Sequence, residues 1–187
     1  PNMLSTPSDL QYVPVPYYTA QVTADQAAAF IDNAIRNYNL AGAFANFINS
    51  NPYNLWPPNT VGAFLSSLNM SQTSVALLLA NVGTTQMAQA LNNLSGNYTN
   101  VAVAFSLLVA PSTGANVLNN QNMSVTQAAS IINNALISVA PSYPTNVAQL
   151  LSLVSSSVLA NINVYANVPA TTLLQVISNA AMSGTAA

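Results

Sequence analysis

The side chains here that could carry acid–base or ionic chemistry are few enough to name: Asp9, Asp25, Asp32 and Arg36. There is no Glu, Lys, His or Cys, and from Asn37 to Ala187 no acidic or basic residue occurs at all. General acid–base catalysis needs a tunable proton carrier, and a hydroxyl nucleophile needs a base beside it. Ser and Thr are abundant, but no His or Lys is present to activate them. Structural and catalytic metal sites draw on His, Cys or grouped carboxylates, which this chain lacks. A single Arg cannot follow a phosphate backbone, whose binding rests on several Lys or Arg. No Gly-rich phosphate loop precedes a helix pattern. The expectation is a non-enzyme with no catalytic, cofactor-binding or metal-ligating residue, no small-molecule substrate and no direct nucleic-acid contact. Asp32 and Arg36 stand four apart in the favourable order, and read as a helix-surface ion pair worth about 0.2–0.5 kcal/mol.

What remains as a candidate site is aromatic. Tyr12, Tyr17, Tyr18 and Trp56 sit among prolines, where a large ring with a polar tip can anchor an interface. The three tyrosines belong to residues 1–21, where Pro1, Pro7, Pro14 and Pro16 favour an extended or polyproline arm. Such an arm lies over its own helices, reaches onto a neighbour, or hangs loose. Trp56 lies in the turn-rich stretch Asn51-Pro52-Tyr53-Asn54-Leu55-Trp56-Pro57-Pro58.

The elements that must position these residues read as helices. Thr23 and Gln26 form a capping box, followed by Ala27/Ala28, Ile31, Ala34/Ile35 and Tyr38 at helical spacing. Gln26–Ile35 recurs at Gln127–Leu136 with six of ten positions identical, and Ser124 with Gln127 repeats the box. This implies two related helical halves, 22–110 and 123–187, within one helical domain 22–187. Between them, Leu40–Asn49 reads as a short helix, and Val61–Leu68 with Thr73–Asn81 as one bent helix. Thr84 reads as the cap of Thr85–Leu94. Tyr98–Ala110 suits a buried helix or strand, and Pro111–Asn122, rich in Asn, Ser, Thr and Gly, reads as the longest loop. Val147, Leu150/Leu151, Val154 and Val158 line a further helix, Asn161–Val168 suits an extended segment, and Pro169 opens a last helix. The fold class is therefore all-α, a multi-helix bundle with an extended N-terminal arm. The apolar stretches Val61–Val82, Val101–Leu118 and Val147–Tyr165 are each interrupted by Asn, Gln, Ser or Pro, which argues against a membrane span.

Function then follows from what replaces charge. Hydrophobic residues make up 51% of the chain and charged ones 2%, against about a quarter charged in ordinary soluble domains. The polar surface must be built of Asn, Ser, Thr, Gln and Tyr. With little repulsion between copies, association is favoured, and burying neutral amides costs far less than burying ions. Asn93, Asn119, Asn120 and Asn133 fall at polar or loop positions where such a surface would lie. In composition the chain resembles spider-silk repeat domains. It also resembles the surface and filament proteins of acid-living archaea and the coat proteins of their viruses. No motif aligns with either group. The expectation is a self-assembling, acid-stable structural subunit, its partner itself, in an extracellular filament or virus-like coat at a cell surface or in a virion. A silk-type matrix domain, or a membrane-associated particle protein, is the alternative.

Overall fold

The first helix of the computed structural model, α1 (Ala24–Tyr38), starts where its capping box places it. The Thr23 hydroxyl accepts from the Gln26 N–H at 3.2 Å, and the Gln26 side chain accepts from the Thr23 N–H at 3.0 Å. Asn39 and Asn51 end α1 and α2 (Ala41–Ser50) in the left-handed conformation that Asn tolerates well. The structure describes residues 23–51, 56–163 and 168–184, and within them the regular elements are all helical. The chain continues through α3 (Pro58–Leu65), α4 (Gln72–Asn81), α5 (Thr84–Leu91) and α6 (Thr99–Val103), which a π-helical stretch prolongs over Ala104–Leu108. Then follow α7 (Pro111–Leu118), α8 (Val125–Ser138), α9 (Pro144–Leu151), α10 (Ser156–Leu159) and α11 (Ala170–Gly184). The N-terminal arm, with Tyr12, Tyr17 and Tyr18, lies outside the described residues.

Several boundaries differ from expectation, each for a local reason. Pro111–Leu118 is helix rather than loop. Pro111 takes the first helical position, where its missing N–H costs nothing. Ala115, Val117 and Leu118 then bury their side chains, so packing overrides a loop-like composition. Val61–Leu68 and Thr73–Asn81 are two helices and not one bent one, because Ser71 caps a fresh start by accepting from the Ser74 N–H. Gly83, not Thr84, is the N-cap of α5. Tyr98–Ala110 resolves as helix, and its π-turn leaves the buried Ser106 hydroxyl with no hydrogen-bond partner among the described residues. The second capping box is only half formed. Ser124 accepts from the Gln127 N–H, but the Gln127 amide donates to the Tyr98 hydroxyl at 2.9 Å.

The packing order has a simple rule. Each helix lies chiefly against the helix two places on: α1 with α3, α5, α7, α9 and α11 in one succession, and α2 with α4, α6, α8 and α10 in another. The main partners of every helix fall within three places of it in sequence. Odd and even helices thus form two rows, joined by contacts such as α1 with α4, α4 with α7 and the π-turn with α9. This is the organisation of an α-solenoid, in which contacts run only between near neighbours along the array. The described core is contiguous through both rows, from Ala28 and Ile31 in α1 to Val176 in α11.

A second rule governs how the row steps are fastened. Asn49, near the end of α2, donates to the Asn81 carbonyl at 3.4 Å and accepts from the Gly83 N–H at 2.7 Å. Asn92, after α5, donates to the Asn122 carbonyl and accepts from the Ser124 N–H at 2.7 Å. Asn119, after α7, donates to the Leu153 carbonyl and accepts from the Ser155 N–H, both at 2.8 Å. In all three, one amide bridges a carbonyl and the N–H two residues later, in the turn that closes the helix two places on. Asn133 of α8 accepts from the Asn163 N–H beyond α10 at 3.1 Å. Ser66 after α3 exchanges hydrogen bonds with the Ser95 backbone beyond α5. Asn119, which is exposed, and the half-buried Asn133 therefore also fasten the fold.

The step from α3 to α5 is close enough to need glycine. A Cβ at Gly62 would lie 2.5 Å from the Ala90 carbonyl oxygen and 2.7 Å from that of Asn93, both backbone atoms that cannot swing away. Gly42 in α2, by contrast, has nothing within 4 Å of its Cβ position. Helix propensity alone favours Ala over Gly by about 1 kcal/mol at either site. The expected outcome is opposite signs in chemical denaturation: Gly42→Ala raises stability by about 0.5–1 kcal/mol, while Gly62→Ala lowers it by about 1–3 kcal/mol through overpacking.

Candidate interface around Trp56

Trp56 is held from both sides of its turn. Its backbone N–H donates to the Asn51 side-chain oxygen at 2.9 Å, and Pro57 and Pro58 lead straight into α3. The indole stacks on Phe44 with centroids 5.7 Å apart and planes 12° from parallel. It meets Phe47 edge-on at 4.8 Å and Phe64 edge-on at 5.4 Å. Offset stacks and edge contacts of this kind add about 0.5–1.5 kcal/mol each beyond buried area. Phe44 and Phe47 come from α2 and Phe64 from α3, so the ring cluster ties the start of the even row to the odd row. Phe64 is fully buried, whereas Trp56 and Phe44 are half-buried.

Two clefts flank the indole. An apolar one of about 280 Å3 is lined by Leu40, Ala43, Phe44, Phe47 and Trp56. On the other side, Ile48, Asn49, Asn51, Pro58, Val61, Gln86 and Gln89 join Trp56 around a cleft of about 210 Å3. Of the four aromatic residues singled out in the sequence, Trp56 is placed here, and the three tyrosines fall outside the described residues. Phe44 and Phe47 were not singled out, although their spacing of three in Ala41–Ser50 puts both rings on one helix face.

The charged residues have fastening roles. The Asp25 carboxylate accepts from the Ser67 hydroxyl at 2.6 Å, joining the first turn of α1 to the turn after α3. The Asp32–Arg36 pair forms at 3.3 Å, but it is not a surface pair as expected: Asp32 is buried at 8% exposure, and only Arg36 stays in water. Its chief partner is Ser71, whose N–H donates at 2.9 Å and whose hydroxyl donates to the same carboxylate oxygen. The carboxylate thus sits at the N-terminus of α4, where the helix dipole favours negative charge. Burial pushes the Asp32 carboxyl up, but hydrogen bonds from the Ser71 and Ser74 hydroxyls, the Ser71 N–H and Arg36 together hold it below its ordinary value. Nothing in the spacing of Asp32 revealed this, because its partner is distant in sequence.

No family model, curated protein or solved structure matches this chain.

Since its folded pKa is depressed, Asp32 contributes stability above the ordinary carboxyl value, and that contribution is lost as pH falls through the folded value. Asp32→Asn should cost about 1.5–3 kcal/mol at pH 7. In urea titrations, the gap between wild type and variant should close below about pH 4. Wild-type helical circular dichroism should nonetheless persist at pH 2, since so few groups titrate.

Proposed function

We propose that this chain is a structural subunit that assembles with copies of itself into an extracellular filament or virus-like coat, and that it carries out no catalysis. The observation that supports this most is what the described surface offers. It is nearly free of ionic groups, and Asp32, one of its few carboxylates, is turned inward. Large apolar side chains remain in water: Leu68 at 78% exposure and Tyr38 at 70%, with Phe30, Leu174 and Ile177 above 60%. A monomer with this surface has nothing to repel its neighbours, and a packed array hides the apolar groups without stranding a charge.

A silk-type matrix domain draws on the same features and differs only in the form of the polymer. For a membrane-associated particle, contact would have to be peripheral through the described helices, because none of them is long and apolar enough to cross a membrane.

Contacts built from neutral groups should ignore ionic strength, since salt screens charges and slightly strengthens apolar burial. Sedimentation of the native material should show large assemblies at low salt and equally at 1 M NaCl (about a 3 Å Debye length). Negative-stain micrographs of the pellet should show filaments or shells. A monodisperse monomer under both conditions contradicts the assembly reading, and dissolution by salt contradicts its neutral basis.

A further inference from the structure

An α-solenoid needs polar outer faces on its terminal helices to stay solitary. The first and last described helices of the odd row both leave apolar side chains exposed on their outer faces. In α1, Ala28, Ile31, Asp32 and Ile35 face inward, and Phe30 lies on the opposite side at 68% exposure. In α11, Thr172 and Val176 face inward, while Leu174 and Ile177 lie opposite at 67% and 63%.

The repeated sequence segment shows what such an outer face becomes when a second neighbour is present. Helix α8 matches α1 at six of ten aligned positions, but it sits inside the array between α6 and α10. Ile31, Ala34 and Ile35 are buried in α1, and so are their counterparts Ile132, Ala135 and Leu136. The difference lies on the outer stripe. Ile131, the counterpart of Phe30, is 0% exposed, and so is Ala128, the counterpart of the half-buried Ala27. Beside Ala27 the structure leaves a groove of about 290 Å3, lined by Ala24, Ala27, Asn59, Thr60, Ala63 and Phe64. Helix α1 thus has the side chains of an interior helix, with the outer stripe left exposed at Phe30.

We infer that α11 of one copy packs on the outer face of α1 of the next, so that the helical rows run on from copy to copy as a head-to-tail polymer. The partner is a second copy because the contact continues an interface the fold already repeats, from each odd helix to the next. The exposed polar groups beside Phe30 and Leu174 are neutral, Asn33 and Asn37 on α1, already paired with each other, and Gln175 and Ser178 on α11, while Arg36 is held to the flank of α1 by Asp32. A contact between two different faces leaves a free face at each end, which gives an open filament rather than a closed dimer. The inference rests on the assembly reading above and assigns its contact surfaces.

The test uses two full-length variants, Phe30→Lys and the double variant Leu174→Lys with Ile177→Lys. Exposed positions such as these leave the monomer fold within about 0.5 kcal/mol, which circular dichroism and thermal melts check. A parallel pair carrying Ser at the same positions guards against misfolding by Lys. In analytical ultracentrifugation each variant alone should run as a monomer where the wild type polymerises. Mixed in equal amounts, they should form a dimer and stop, because one variant keeps only its tail and the other only its head. Dimers of either variant alone would overturn the inference in favour of a like-with-like contact. So would a mixture that stays monomeric, as expected if residues 1–22 cover these faces, or variants that polymerise like the wild type. If the wild type itself is a monomer, the assembly reading falls with it.

Discussion

An asparagine side chain can accept a hydrogen bond and donate one in the same plane, and this fold depends on that capacity. At the ends of α2, α5 and α7, one amide reaches the turn that closes the helix two places on, and there satisfies a carbonyl and an N–H together. An aspartate in the same place could only accept, and a lysine could only donate. Every helix end exposes backbone groups that need partners. In this chain, amides and hydroxyls supply many of them from a neighbouring helix in the row, so ionic side chains are not needed to seal the turns. The scarcity of charge and the abundance of Asn are therefore two sides of one structural solution.

The clamps matter because the helices are short. Even α1 and α11, at 15 residues each, are at the length where an isolated helix is marginal in water, and α3, α5, α7 and α9 have 8. Their stability comes from stacking along the rows, and stacking requires that each step be held at a fixed height. The clamps do this at the turns, and close approaches such as Gly62 against the α5 backbone do it between the helices. The start of the array adds an ionic version of the same device. Asp25 and Asp32 on α1 reach the segment between α3 and α4, and Asp32 caps α4 as an anion would. The few carboxylates of the described chain are thus concentrated at one end of the solenoid, and the remainder is neutral.

What could be read from the sequence was whatever acts locally. The capping box of α1, Pro169 before α11, and the apolar stripes all act within a turn or two. They gave the all-helical class, although Pro111–Leu118 was hidden by a loop-like composition. The row order was not readable, because it depends on contacts about 25–35 residues apart that carry no periodic signature of their own. For the same reason the fastening roles of Asn119 and Asn133 were not visible, and Asp32 looked solvent-exposed beside Arg36. Trp56 could be singled out from its proline-rich setting, but its ring partners Phe44 and Phe47 come from the preceding helix. The match between α1 and α8 was visible in the sequence. That the outer stripe exposed at Phe30 in α1 is buried at Ile131 in α8 became visible only in the fold.

The row steps are held only if the clamps form in solution, and native-state hydrogen exchange at three loop amides measures that directly. Gly83, Ser124 and Ser155 lie outside the helices, Ser124 exposed and the other two half-buried, and each donates its N–H to a clamping asparagine. If the clamps hold the row steps, these three amides exchange as slowly as the helical amides on either side, and opening one requires separating a row step. If they exchange at the rate of unstructured peptide while the helices stay protected, the asparagines do not fasten the array and the central claim fails.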